Sequence, residues 1–310
     1  ISIIRRCYLL SVLLMTVWLT GCVQEELGST PSPAGNGIRF TLTVPDVNLP
    51  SVSSRTMTGA GTAKKEDEIE TVDILVFDAS KTPAVYLEWV TATGVTQDLA
   101  DNSTVSFSAK LPFTTASTCI VVVANRELDD IVSGFKKGVT TKVEAMEKML
   151  HTQTGKWLAD GSTTGGYTRI PMYGEKVINK ITPSMEPITG INMKRMLARI
   201  DIHNNSVTSN FTVEEVYLAN YNTTGYIAPP WNTNGQVTEP APDTPVLPAN
   251  SGKMTEEGDA ILYSVKGNTP YDGEIYTFES LAAEDAGGVG QDGEASRKDA
   301  TCLIVKGRIG

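Results

Sequence analysis

Cys22 ends the tetrapeptide Leu19-Thr20-Gly21-Cys22, and its placement suggests a definite chemistry. Arg5 and Arg6 introduce an almost wholly apolar run, residues 7–19, which as a helix would reach only ~20 Å against a ~30 Å hydrocarbon core. The run therefore reads as a cleaved signal peptide over 1–21 rather than a permanent span. Small residues at its end admit a peptidase between Gly21 and Cys22, and a thiol at the new N-terminus can accept a diacylglyceryl group. The tetrapeptide resembles a lipobox. An ordinary secretory signal with an incidental cysteine is the competing reading. Several fatty-acyl chains, at ~0.8 kcal/mol per buried CH₂, would hold that end of the chain in a bilayer.

Arg55 is the second residue with chemical consequence. It lies in "PSVSSRTMTGAGTAKKEDE", a Ser/Thr/Gly-rich stretch of the kind that is exposed and open to proteolysis. Elsewhere the search for reactive groups is negative. His151 and His203 have no cysteine or carboxylate spaced with them as a metal-ligand set. His151 is expected at a helix C-terminus, serving the dipole, and His203 on the surface. "GGVGQDG" (287–293) has neither the Lys-Ser/Thr nor the helix of a phosphate loop. Glu214 and Glu215 are adjacent on an expected strand, face opposite sides and cannot act on one bond. Trp89, Trp157 and Trp231 could form a sugar-stacking platform, or pack in cores and loops. The residues point away from an enzyme and imply no cofactor and no metal.

The elements that would position these residues are mostly strands. The segment 22–37 is polar and rich in Pro, Gly and Ser, and reads as a tether. "IRFTLTV" follows, with Ile38, Phe40, Leu42 and Val44 on one face and Arg39, Thr41 and Thr43 on the other, the period of a half-buried strand. Further strands are expected at 71–79, 84–90, 103–111, 117–125 and 169–177, the fourth buried on both faces. One helix is expected near 141–151, opened by a capping box of Thr141 and Glu144, with Val143, Met146, Met149 and Leu150 inward. A second series runs through 195–204, 211–221, 260–265, 273–280 and 300–308, with long Pro/Asn/Gly-rich connections. Many short strands with turn signals argue for all-β sandwiches with little helix, divided into 38–192 and 193–310.

Composition agrees. Of 310 residues 40% are hydrophobic, enough for two cores. Arg5 and Arg6 are the only charged residues in 1–21, so the 26 bases and 36 acids of the chain become 24 and 36, or −12, from Cys22 onward. Such a surface repels nucleic acid. Beyond Cys22 only Cys119 and Cys302 remain of the cysteines used by an exported form, both in apolar strand-like runs and expected to be buried free thiols.

In order along the chain, Cys22 in its lipobox, "DILVFD" (73–78), "IVVVAN" (120–125), "IPMYGE" (170–175), "MKRMLARIDI" (193–202), "YTFES" (276–280) and "ATCLIVKGR" (300–308) resemble the fimbrillin superfamily, the subunits of type V pili. The resemblance implies two tandem transthyretin-like β-sandwich domains. It implies export to the outer membrane as a lipoprotein, then a cut by an Arg-specific protease in the loop after the first strand. By that analogy Arg55 precedes the cut, Thr56 becomes the new N-terminus, and the strand bearing Ile38, Phe40, Leu42 and Val44 is displaced. Polymerisation with other pilus subunits then proceeds by strand exchange, giving a cell-surface filament that adheres to a host or bacterial target. An anchor or tip subunit that keeps its lipid, or a surface carbohydrate-binding lipoprotein, are the alternatives. In the family further strands follow the segment resembling "ATCLIVKGR". The chain begins at Ile1 without Met and stops at Gly310, so the expectation is either a piece of a longer gene product, with the second sandwich incomplete, or a subunit that only accepts a strand.

Overall fold

The computed structural model describes residues 37–44, 67–98, 104–157, 169–202, 210–232, 235–238, 245–254, 257–264, 271–281 and 300–310. Through the first half run β1 (Ile38–Thr43), β2 (Val72–Asp78), β3 (Val85–Thr91), β4 (Thr93–Gln97), β5 (Thr104–Ala109) and β6 (Thr118–Ala124). The short helices α1 (Asp129–Val132) and α2 (Lys142–Glu147) follow, then β7 (Leu150–Thr152), β8 (Met172–Ile178), β9 (Ile188–Asn192) and β10 (Lys194–Arg195). The remainder holds β11 (Ala198–Ile202), β12 (Phe211–Ala219), β13 (Thr224–Tyr226), β14 (Ile261–Ser264), β15 (Tyr271–Thr277) and β16 (Cys302–Ile309). The protein is all-β with minor helix.

Two sheets make the first sandwich, in the orders β4-β5-β1-β9 and β10-β8-β6-β2-β3. Alternation decides which side chains meet. Ile38, Phe40, Leu42, Val105, Phe107, Ala109, Ile188 and Ile191 from the first sheet close on Val72, Ile74, Val76, Ile120, Val122, Ala124 and Met172 from the second. β6 is buried along its whole length on both faces, which explains its unbroken apolar sequence. Gly174 of β8 leaves room for β9: a Cβ there would come within 2.8 Å of Ile191 and Met193.

The other face of the β6 sheet is covered by chain from both halves of the sequence. Leu75, Phe77, Cys119, Val121, Val123 and Tyr173 pack with Ala145, Met146 and Met149 around α2, and with Trp157, Met196, Ile227, Ala228, Tyr276 and Phe278. A smaller cluster, Val216, Leu218, Tyr221, Tyr263 and Ile275, lies among the sheets β14-β12-β16 and β11-β15.

The helix and histidine expectations need correction. The capping box forms, Thr141 accepting from the Glu144 N–H at 3.2 Å and the Thr141 N–H donating to Glu144 at 2.8 Å. The helix nevertheless ends at Glu147, because residues 150–152 pair with β13 instead. His151 is therefore a strand residue, opposite Gly225, and serves no helix dipole. The inward face includes Lys142, which ion-pairs with Glu175, while Val143 and Leu150 are only half-buried. Cys119 is buried as expected, but Cys302 is exposed: among the described residues β16 is an edge strand, paired with β12 alone. β4, β7 and β13 were not foreseen, being too short or too polar to show a period. His203 and residues 287–293 lie outside the described residues.

Candidate functional site

β1 is an interior strand, not an edge. Against β5 it makes an antiparallel ladder from Ile38↔Ala109 to Thr43↔Thr104 with no irregularity. Against β9 it is parallel, with a register shift between Phe40 and Leu42. Ile38, Phe40, Leu42 and, just past the strand, Val44 are all buried, at 6, 1, 0 and 1% exposure. Phe40 stacks face to face on Phe107, ring centroids 4.9 Å apart and planes 8° apart. Arg39, Thr41 and Thr43 point the other way, as the period of two dictates. The site is thus a slot whose floor is the β6 sheet and whose walls are the backbone edges of β5 and β9.

The chain on the far side of residues 45–66 is fastened by polar groups. The Ile69 N–H donates to Gln97 Oε1 (3.1 Å), and Gln97 Nε2 donates to the Asp67 carbonyl (2.7 Å). Arg195 pairs with Asp67, and Arg169 with Glu68 (3.1 Å) and Glu70 (2.5 Å). Asn125, in the left-handed region at φ 58°, donates to the carbonyls of Glu68 (2.8 Å) and Ile170 (3.0 Å) and accepts from the Glu70 N–H (3.0 Å). Asparagine tolerates that backbone because its short side chain bonds locally. β1 is held across its buried face by aliphatic and aromatic contacts and along its edges by the two ladders.

Cys22, Gly21, Arg55 and Thr56 lie outside the described residues. Sequence reading missed Phe107, Val105 and Ala109 as the facing wall, although their own period of two in 103–111 carried the signal. The fastening of 67–70 left no local signal at all, since Arg195 and Asp67 stand 128 positions apart.

Other candidates resolve differently. The tryptophans form no platform: Trp157 is 3% exposed in the core, and Trp89 and Trp231 are half-buried against the same cluster. Glu214 and Glu215 each face a cation of β16, Arg308 at 2.5 Å and Lys306 at 3.9 Å. Burial pushes the Cys119 thiol up to about 12, Lys142 opposing and Glu175 adding to the rise, so it stays a neutral thiol without nucleophilic character. Among the described residues no group of His, Cys, Asp or Glu is arranged to hold a metal, and no helix is long and apolar enough to cross a membrane.

The described residues thus give a two-sheet sandwich whose first strand lies between two others. Residues 38–190 match the family model described as the major fimbrial subunit protein (FimA), and this part of the chain belongs to that family. It is a pilus-related protein, of a family of structural, non-enzymatic subunits. No curated protein matches the chain. The chain is similar to a solved fimbrial assembly protein from Parabacteroides distasonis, at 12% identity and a TM-score of 0.40 over 88% of this chain and 82% of that one. It is similar to a candidate cell adhesion protein from the same organism, at 17% identity and a TM-score of 0.44, over 81% and 73%. It is also similar to a candidate polysaccharide-binding protein from Bacteroides thetaiotaomicron, at 11% identity and a TM-score of 0.37, over 87% and 76%.

Proposed function

We propose that this chain is a pilus subunit that reaches the outer membrane as a lipoprotein acylated on Cys22, is cut after Arg55 by an Arg-specific protease, and then gives up β1 so that a strand of another subunit takes its place. The observation that carries the reading is the seat of β1: interior to its sheet, with four alternate side chains buried and a long connection, 45–66, leading from it to the fastened residues 67–70. Burying four such side chains stabilises by about 6–12 kcal/mol before any discount for unfolded-state burial. A whole domain is stable by only ~5–15 kcal/mol. A slot emptied of β1 exposes both that surface and two unpaired strand edges, so it takes up a replacement strand strongly. The fastening of 67–70 keeps the downstream chain in place while the upstream strand leaves with the lipid.

Exposure of the full chain to a trypsin-like protease tests the reading. Cleavage after Arg55 should give SDS-resistant ladders in the presence of partner subunits, and mass spectrometry of assembled filaments should find Thr56 as the N-terminus. Cut protein that retains the 1–55 fragment and stays monomeric would refute strand exchange. Acyl-Cys22 in assembled filaments would instead identify a lipid-retaining anchor.

A further inference from the structure

We infer that Phe107 is the specificity-determining residue of the β1 slot, and that the strand the slot takes from another subunit carries an aromatic side chain flanked by aliphatic ones at alternate positions. The inference rests on the reading that β1 is replaced, and adds what the replacement must look like. The present occupant supplies the template. Phe40 lies directly opposite Phe107 in the ladder, its ring parallel to the Phe107 ring at 4.9 Å and both residues buried. On its other side Phe40 pairs with Ile188 of β9. The neighbouring positions differ: Leu42 faces the β-branched Val105, and Ile38 faces the methyl of Ala109. The β5 wall therefore offers a branched surface, a flat ring and a shallow position in sequence. A flat ring covers a flat ring without a gap. A tetrahedral branch laid on it leaves unfilled space, which close-packed interiors do not tolerate cheaply.

This demand also bears on self-association. β16 is an edge strand that exposes Ile304, Val305 and Ile309. One alternate set of its residues is Leu303, Val305, Gly307 and Ile309, with no ring and a glycine at an inner position; the other includes Lys306 and Arg308. Neither set reproduces the aromatic-centred pattern, so β16 of a second copy is a poor occupant and the slot calls for a strand of different sequence.

The test uses the full chain cut by trypsin, with the protease then inhibited, and a fluorescein-labelled peptide of sequence GIRFTLTV. Fluorescence anisotropy should show capture of this peptide, and about ten-fold weaker capture when its phenylalanine is replaced by leucine, the loss of one aromatic stack with its packing. Phe107→Tyr should keep that preference and Phe107→Leu should abolish it. Equal capture of the two peptides by the unaltered protein overturns the role of Phe107 while leaving strand replacement intact. Capture of neither peptide overturns strand replacement and the inference with it. Should Phe107→Leu fold poorly, urea unfolding of the intact chain with Phe40→Leu, Phe107→Met and the pair decides: strict additivity of the two effects also overturns the inference.

Discussion

The central sheet β10-β8-β6-β2-β3 is covered on both faces, but by different means. In front, Phe40, Leu42 and their neighbours close on Ile74, Ile120 and Val122 through apolar contact alone. Behind, an equally dense cluster is threaded by directional bonds. Lys142, 1% exposed, ion-pairs with Glu175; Tyr173 donates its hydroxyl to the same carboxylate; and the Val237 N–H donates to Glu175 at 3.3 Å. Hydrophobic burial is non-directional, so the contacts of the front demand shape and size and not a particular bonding partner. A buried ion pair with shared hydrogen bonds accepts only the groups that complete it. The front is held without directional side-chain bonds between its apolar members, whereas the back fixes α2 and the later chain to the sheet.

The comparison is broken most forcefully at the front. Phe40→Ala should destabilise the intact chain by about 3–5 kcal/mol, from lost transfer energy and the cavity beside Phe107. Urea unfolding measures it, and saturating β1 peptide should leave the loss in place only while the altered strand stays seated. A cost under about 1 kcal/mol would mean β1 is an accessory to the core and not part of it. At the back, Lys142→Met should cost about 3 kcal/mol, because it strands a mostly buried carboxylate. Adding Glu175→Gln should recover more than half, since the amide oxygen still accepts from Tyr173 and no charge is left behind. No recovery in the double variant would show that the pair acts by packing alone, and the contrast between the faces would fail.

How much of this was legible in the sequence follows the same division. β1, β2, β5 and β6 each show a period or an apolar run within seven residues, and all were placed within a residue or two. The burial of Ile38, Phe40, Leu42 and Val44 could be read directly from their spacing. The back could not be read that way. Lys142 looks like a first-turn surface lysine; only Glu175, 33 positions on, makes its burial tolerable. β7 and β13 are three residues each and exist because their ladders join chain 72 positions apart. Cys302 was misjudged because an apolar run does not reveal whether its strand has one neighbour or two. The fastening of residues 67–70 is likewise made wholly of long-range partners. Non-directional packing writes itself into local pattern; directional bonds between distant residues do not.

His151 gives the smallest and most diagnostic contrast. It sits at the back, opposite Gly225, with its ring 5.2 Å from that of Trp157 and Nε2 buried without a hydrogen-bond partner. Gly225 itself leaves space for Phe278, whose ring a Cβ would meet at 2.3 Å. Burial, with Arg126 nearby adding to it, depresses the imidazole from 6.5 to about 4. Because the folded value lies below the unfolded one, the unfolded chain binds the extra proton. Stability therefore carries no penalty from His151 above pH 6.5, falls as pH drops from 6.5 to about 4, and loses nothing further below that. Partial exposure screens the effect, so the loss is on the order of 1–2 kcal/mol. Urea midpoints measured from pH 7 to 4 should show the decline in the intact chain, and His151→Gln should flatten it. The apolar front holds no titrating group among its buried members, so the decline should persist unchanged in Phe40→Leu. A pH dependence that vanished with Phe40→Leu would place the proton-sensitive contact at the front and reverse the assignment of the two faces.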